Sequence, residues 1–185
     1  MATIITHALT GAAFGQAAPT GVPRVWMTLC LACAAALPDA DVLMFILGFA
    51  YDHPLGHRGF THSIAFAAML ALFLSLAVIP KQRLSLKRYM QTLAVCFCTI
   101  LSHGILDAIT DAGLGVGFFI PLNDERYFFP WRPVMTATLN PSAFFSQATL
   151  DVLKNEICLI WLSLAGTSVI FHVFRRLFLI LKMKG

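Results

Sequence analysis

The chain has 185 residues, of which 58% are hydrophobic and only 12% charged, with a formal net charge of +4 and a mean hydropathy of +0.78. Soluble domains carry about 25% charged residues, so this chain has too little polar surface to cover a water-soluble core. The composition excludes an ordinary soluble enzyme and a disordered protein, and it indicates an integral membrane protein. The small net charge gives no reason to expect nucleic-acid binding.

Five apolar segments follow one another along the chain: 2–18, 25–50, 64–79, 89–109 and 157–174. A membrane-spanning helix needs roughly 20 residues, so the chain holds about four or five of them. The stretch 111–155 is rich in glycine and proline, which predicts an ordered loop with short helical pieces. We therefore predict an all-α, single membrane-embedded domain over residues 1–185: a helical bundle of about four to five hydrophobic helices with a long structured outer loop.

Two features of the apolar segments exclude simple alternatives. Segment 2–18 has no basic start and is interrupted by Thr6 and His7, so we do not expect a cleavable signal peptide. All five cysteines lie in apolar stretches, where we expect small buried hydrophobic side chains rather than ligands or disulfides: Cys30, Cys33, Cys96, Cys98 and Cys158.

The basic residues predict an orientation, because lysine and arginine are enriched in short cytoplasmic loops. They cluster between the first two segments, between the third and fourth, and in the tail: Arg24, Lys81, Arg83, Lys87, Arg88, Arg175, Arg176, Lys182 and Lys184. With these on the cytoplasmic side, a multi-pass protein of five spans has its N-terminus and the loops 51–63 and 110–156 on the outer face.

Ionisable groups inside apolar segments are costly and are candidates for function. On a helix, His103 and Asp107 share one face, about 6 Å apart, and Asp111 would continue that face one turn later. Asp39 and Asp41 follow Pro38, which opens the backbone. His57 and His62, in the stretch GHRGFTHS (residues 56–63), flank the third segment.

On the predicted orientation these groups and His7 all fall toward the outer half of the membrane. A mixed imidazole and carboxylate set suits zinc, manganese or iron. We therefore predict one or two divalent ions, with zinc as the first choice, held by a set drawn from His7, Asp39, Asp41, His57, His62, His103 and Asp107. Alone, His7 would be read as a helix–helix contact and Asp39 as a helix cap. We expect His53 in an exposed loop and His172 near the cytoplasmic end.

Several stretches carry a family resemblance: ITHALTG (5–11), LPDADV (37–42), GHRGFTHS (56–63), SHGILDAITDAGLG (102–115) and RYFFPWRPV (126–134). They resemble the bacterial membrane-bound metal-dependent hydrolases, which include LexA-regulated inner-membrane hydrolases. The resemblance implies a bacterial inner-membrane location and maps the family's metal ligands and catalytic centre onto the seven residues above. The order of the motifs is also similar, more weakly, to that of zinc-dependent phospholipases C and single-strand nucleases. Those enzymes hold a third zinc with further ligands after this point, but here no histidine lies between Asp107 and His172.

A hydrolytic interpretation assigns further roles. Asp107 would bridge two metals, Asp41 or Asp111 would act as general base, and a water whose pKa the metal lowers to about 7 would attack an ester or phosphoester. Arg58, Arg126 and Arg132 suit an anionic substrate such as a membrane lipid or lipid-linked phosphate. Arg126 and Arg132 equally suit interfacial anchoring beside aromatic residues. The alternatives are a metal-ion transporter or metal-binding membrane protein without hydrolytic activity, and a scaffold whose polar cluster only locks helices together.

Overall fold

A computed structural model describes residues 1–138 and 146–184 of the chain. Seven α-helices account for most of it: α1 (Ile4–Phe14), α2 (Arg24–Ala36), α3 (Leu43–Ile46), α4 (Ile64–Val78), α5 (Leu86–Ala108), α6 (Gln147–Glu156) and α7 (Leu162–Lys184). Two isolated β-bridges, Thr110 with Val134 and Val116 with Tyr127, tie the segment after α5 to itself. Within the described residues there is no strand, so the predicted all-α helical membrane bundle is confirmed.

Local sequence signals set the helix boundaries. Side-chain oxygens of Thr3, Ser63, Ser85 and Ser146 accept hydrogen bonds from backbone N–H groups in the first turns of α1, α4, α5 and α6, as N-cap residues do. After α2 the chain tightens into a 3-10 turn, Leu37–Val42, with Pro38 at its start. Proline is tolerated there because an N–H at a helix start has no partner to lose.

The last helix begins earlier than its apolar pattern predicts. The apolar pattern predicts a start at residue 157. In the structure the helical stretch starts at Gln147, because α6 passes into α7 through a π-helical turn, Ile157–Trp161. Asp151, Lys154 and Glu156 make the first turns too polar to read as part of an apolar span. The Ser146 cap starts the helix regardless of that polarity.

The core lies between α2, α4 and α5 and includes Met27, Leu31, Ala71, Cys96 and Ile100. All five cysteines are free; Cys96 is buried, as expected, whereas Cys33, Cys98 and Cys158 are exposed on helix faces. The bundle is therefore packed by aliphatic contacts and not by covalent links.

Two glycines let α1 approach α2 closely. A Cβ atom at Gly11 would lie 2.3 Å from the carbonyl oxygen of Leu31, and one at Gly15 would lie 2.2 Å from Oγ1 of Thr28. The glycines are four residues apart, the spacing that allows close helix packing in membranes. This contact fixes α1, and with it His7, against the helix that leads to Asp39.

Three helical stretches are long and apolar enough to cross a membrane: Arg24–Ile46, Leu86–Ala108 and Gln147–Leu177. At 1.5 Å per residue, α4 spans about 22 Å and α1 about 17 Å, less than the ~30 Å hydrocarbon thickness. Of the five predicted crossings, two are thus hydrophobic helices shorter than a full span. Large apolar side chains, among them Val25, Phe73 and Phe174, point outward from the bundle, as expected for surfaces in contact with lipid.

Candidate metal centre

One end of the bundle gathers imidazoles and carboxylates from separate helices. His7 lies in the second turn of α1, Asp39 in the 3-10 turn after α2, and His62 immediately before α4; His103 and Asp107 occupy the last two turns of α5. Each of the five residues is at most 4% exposed. The fold therefore concentrates in one dry volume the polar groups that the sequence distributes over a hundred residues.

The first group of side chains within reach of one cation comprises His7, Asp39, His103 and Asp107. Nε2 of His7 lies 3.3 Å from Oδ1 of Asp107 and 3.9 Å from Oδ2 of Asp39. Nε2 of His103 lies 3.4 Å from Oδ1 of Asp39. Ligand atoms about 2.05 Å from a tetrahedral zinc are about 3.3 Å apart, so two of these three separations match a tetrahedral zinc site, and the separation between His7 and Asp39 is longer.

A second group, comprising Asp39, His57 and His62, lies beside the first and shares Asp39 with it. His62 also approaches the first group, because its Nε2 is 3.5 Å from Oδ2 of Asp107. The carboxylate common to both groups is therefore Asp39, whereas the sequence-based interpretation gave the bridging role to Asp107.

Hydrogen bonds on the far side of two rings turn their Nε2 atoms inward. Nδ1 of His103 lies 2.7 Å from the carbonyl oxygen of Ala35, and that carbonyl requires a proton on Nδ1. Nδ1 of His62 lies 3.1 Å from Oδ2 of Asp41. Such partners orient metal-binding histidines and fix their tautomers. The two Nε2 atoms then face each other at 2.9 Å, a hydrogen-bond distance at which two lone pairs need either a shared proton or a cation bound to both.

The pKa of His62 reflects the same arrangement. Burial lowers this pKa, but the nearby carboxylates of Asp107, Asp39 and Asp41 outweigh burial and hold it well above its usual value. The carboxylate charge around His62 therefore favours a positive charge at this point, as a proton or as a metal ion.

Buried polar atoms without hydrogen-bond partners concentrate in the cluster. Among the described residues these include both ring nitrogens of His7 and both carboxylate oxygens of Asp39. Buried polar atoms nearly always have a partner, since leaving one unpaired costs about 1–3 kcal/mol. The donor set thus fits a divalent cation better than it fits a network of hydrogen bonds.

Asp41 lies beside the candidate ligands but belongs to neither group. Its Oδ1 is 2.7 Å from Nδ1 of His57, and its Oδ2 accepts hydrogen bonds from the backbone N–H of Arg58 and the hydroxyl of Thr61. Both oxygens are therefore engaged in holding the GHRGFTHS loop and its two histidines. Asp41 therefore contacts the loop and lies outside both groups that could hold a cation.

Arg58 is buried and points at the cluster from the outside. Its Nε lies 3.2 Å from Oδ2 of Asp107, and its two terminal nitrogens donate to the carbonyl of Ala112 and to Oγ1 of Thr110. Its φ of 61° lies in the left-handed region, which costs non-glycine residues of order 1 kcal/mol and occurs preferentially at functional sites. Arg58 therefore balances the charge of Asp107 and ties α5 to the segment that follows.

Three predicted site residues lie away from the cluster. The α5 helix ends at Ala108, so Asp111 does not continue the face of His103 and Asp107; its exposed carboxylate accepts hydrogen bonds from Thr136. Arg126 donates to the backbone carbonyls of Tyr51, His53 and His57, which fastens the loop over the site. Arg132 is exposed and stacks on Phe128 at 4.6 Å.

The two remaining histidines have no part in the cluster. His53 lies in an exposed loop, where its Nδ1 accepts from the N–H of Leu55. His172 is exposed on α7 and lines a groove with Arg24, Arg175 and Arg176. The exposed position of His53 confirms the expectation from sequence; the cytoplasmic position of His172 stays a prediction.

Glu156, which was not among the residues predicted from the sequence, is completely buried beside the site. Its carboxylate accepts hydrogen bonds from the backbone N–H and hydroxyl of Thr3 and from the hydroxyl of Thr6; Thr6 also accepts from Trp161. The network joins the end of α6 to Thr3 and to Thr6, the residue directly before His7. An acidic residue directly before the apolar run 157–174 was the signal that would have found it.

Fold and site together define a helical membrane protein with a buried histidine–aspartate cluster at one end. A family model described as "YdjM inner membrane protein" matches residues 1–179, and the chain belongs to this family. It is 36% identical over 162 residues to "Inner membrane protein YbcI" of Escherichia coli (strain K12), an alignment that covers 88% of this chain and 92% of the relative. No solved structure matches the chain.

Proposed function

We propose that the protein is a membrane-bound, metal-dependent hydrolase that uses one or two divalent ions, zinc being the best match to the ligands. Its substrate would be an ester or phosphoester of a lipid or of a lipid-linked molecule. The observation that carries the proposal is the convergence of buried imidazole nitrogens and carboxylate oxygens from α1, α5, the 3-10 turn after α2 and the segment before α4. A structural zinc site would more often use cysteine.

The residues divide into ligands and supports. His7, His103, Asp39 and Asp107 would hold one ion, and Asp39 with His57 and His62 a second. A divalent ion in such a site supplies Lewis acidity, which lowers the pKa of water and polarises the bond to be cleaved. Asp41 orients His57 and His62 through their Nδ1 atoms.

The surroundings of the site favour a lipid substrate. Exposed apolar side chains on the segment after α5, notably Leu122, Phe129 and Trp131, suit the membrane interface. Because the ligands themselves are at most 4% exposed, entry of a substrate requires movement of the loop that Arg126 fastens. On the predicted orientation this interface is the outer face of the inner membrane, and Arg132 is the exposed cation there for an anionic headgroup.

Elemental analysis combined with a hydrolysis assay tests the proposal. Protein purified in detergent should retain at least one equivalent of a transition metal, and release phosphate or diacylglycerol from mixed lipids. His103→Ala should lower both the metal content and the rate by at least about tenfold. His53→Ala, the exposed histidine, is the matched control and should change neither. Wild-type protein without stoichiometric metal, or a fully active His103→Ala variant, would contradict the assignment.

Complete burial of the ligands favours a second candidate, a metal-binding or metal-transporting protein without hydrolytic activity. Ligands that are closed to water can retain an ion without giving a substrate access to it, and polar groups inside membrane segments also serve ion transport. Metal flux into proteoliposomes separates the two functions. Uptake that Asp107→Ala abolishes, with no release of phosphate or diacylglycerol from any lipid, would replace the hydrolase by a transporter.

A further inference from the structure

The end of the bundle opposite the metal centre contains a cavity of about 710 Å³ with cationic walls. It lies between the turn after α1, the start of α5 and the exposed face of α7. Lys87, Arg88 and Arg175 line it, and no acidic residue lies among its lining residues. All nine acidic residues occur instead within 39–52, 107–125 and 151–156. The positive charge of this cavity is therefore uncompensated by the protein.

One of the three cations is fixed in place. Nε of Arg88 donates to the carbonyl of Thr20 at 2.8 Å, and its Nη1 atom donates to the carbonyl of Arg83. The glycine turn at Gly21, where φ is +92°, packs against the guanidinium. Lys87 and Arg175 remain exposed and form no ion pair with any acid in the described part of the chain. Guanidinium and ammonium groups in this arrangement recognise phosphate oxygens.

An apolar groove leads away from the cavity between α1 and α7. Its near part, about 240 Å³, is lined by Ala13, Phe14, Leu164 and Phe171, and Phe171 also lines the cationic cavity. A farther part of about 320 Å³ reaches Leu9 and Trp161. From residue 16 back to residue 9 the groove follows α1 for about 10 Å. The cationic cavity is thus continuous with a groove that is lined mostly by apolar side chains.

Gln16 lies where the cavity and the groove meet and lines both. Its Nε2 donates to Oγ of Ser168 at 2.6 Å, while its Oε1 is buried and has no hydrogen-bond partner among the described residues. A buried acceptor without a partner is unfavourable. A hydroxyl group next to a bound phosphate would satisfy it.

We propose that this end of the protein binds an anionic glycerophospholipid. Its phosphodiester lies between Lys87, Arg88 and Arg175, a headgroup hydroxyl donates to Gln16, and one acyl chain occupies the groove between α1 and α7. Basic pockets between membrane helices bind anionic headgroups in this way. The site is separate from the metal centre and does not depend on the proposed hydrolysis.

Native mass spectrometry of the full chain in detergent, titrated with dioleoylphosphatidylglycerol, tests the proposal. Lys87→Gln/Arg175→Gln removes two exposed charges and should weaken binding by about tenfold or more. Arg24→Gln/Arg176→Gln removes the same charge from the neighbouring groove and should leave the affinity within about threefold. Equal losses in both double variants would show general surface attraction and overturn the site, as would equal affinity for dioleoylphosphatidylcholine.

A third variant distinguishes a lipid from a soluble phosphate. Ala13→Phe fills the groove without changing charge, and it should weaken binding of the lipid by several fold while leaving that of inorganic phosphate and glycerol phosphate unchanged. Phosphatidylglycerol binding unaffected by Ala13→Phe and displaced by millimolar inorganic phosphate would mean that the cavity binds a soluble anion, and the lipid site would be wrong.

Discussion

At the metal-centre end of the bundle, charged groups from several helices point inward and contact one another. At the basic end, Lys87 and Arg175 point outward, and no acid lies near them in the cavity they line. A charge removed from water needs a partner or a metal, whereas a charge at the interface is stabilised by water and by lipid phosphate. The contrast teaches that burial, and not charge itself, makes the histidine–aspartate end a candidate for chemistry.

The largest expected effect comes from removing the carboxylate shared by both ligand groups. Asp39→Ala should reduce the bound metal at least about tenfold, since two ligand groups lose a member together. Plasma emission spectrometry of purified protein measures it. Asp111→Asn changes a carboxylate that is exposed and bound to Thr136, and should retain the wild-type metal content. A wild-type metal content in Asp39→Ala would contradict the claim that the histidine–aspartate end binds a metal and differs in this from the basic end.

Asp41→Asn should have a smaller effect on the same end. The variant keeps the ligands but disturbs the orientation of His57 and His62, so metal affinity should fall about 10- to 100-fold while saturation at high metal concentration remains possible. Competition with a chromophoric chelator gives the affinity. Asp52→Asn, an exposed acid, serves as the control. Loss of metal at every concentration would make Asp41 a ligand.

Gly11→Ala probes the packing that connects the two ends. The added methyl would meet the carbonyl of Leu31, so α1 must shift, at a cost of about 1–3 kcal/mol. Thermal unfolding in detergent should report a lower Tm, and His7 should bind metal less well. At Gly166 nothing lies within 4 Å of an added Cβ, so Gly166→Ala should leave the Tm equal or slightly raised. Equal Tm values for the two variants would show that α1 does not depend on this contact.

The smallest effect is expected when charges at the basic end are removed and metal binding is measured at the opposite end. Lys87→Gln/Arg175→Gln should leave the metal content and its affinity unchanged within error, because salt and solvent screen charges far apart on the surface. The chelator competition assay used for Asp41→Asn measures this directly. A shift of more than about threefold would mean that the two ends are coupled.

The candidate ligands could be found from sequence because each is an ionisable group in an apolar context. Their individual arrangement could not. Asp39 and Asp41 are two residues apart in the same 3-10 turn, yet Asp39 faces the cluster and Asp41 holds the loop of His57. Only the rotation of that turn distinguishes them. Asp111 fits a helical spacing, but α5 ends three residues before it, which periodicity did not show.

Composition and the order of apolar segments determined by themselves that this is an all-helical membrane protein with polar groups concentrated at one end. The length and hydrophobicity of a segment are properties of consecutive residues, so they can be read directly from the sequence. Tertiary structure alone decided that Asp39 joins the two ligand groups, that Arg58 neutralises Asp107, and that Glu156 ties the last helix to the first. These are contacts between residues up to 153 positions apart, and their geometry follows from helix packing.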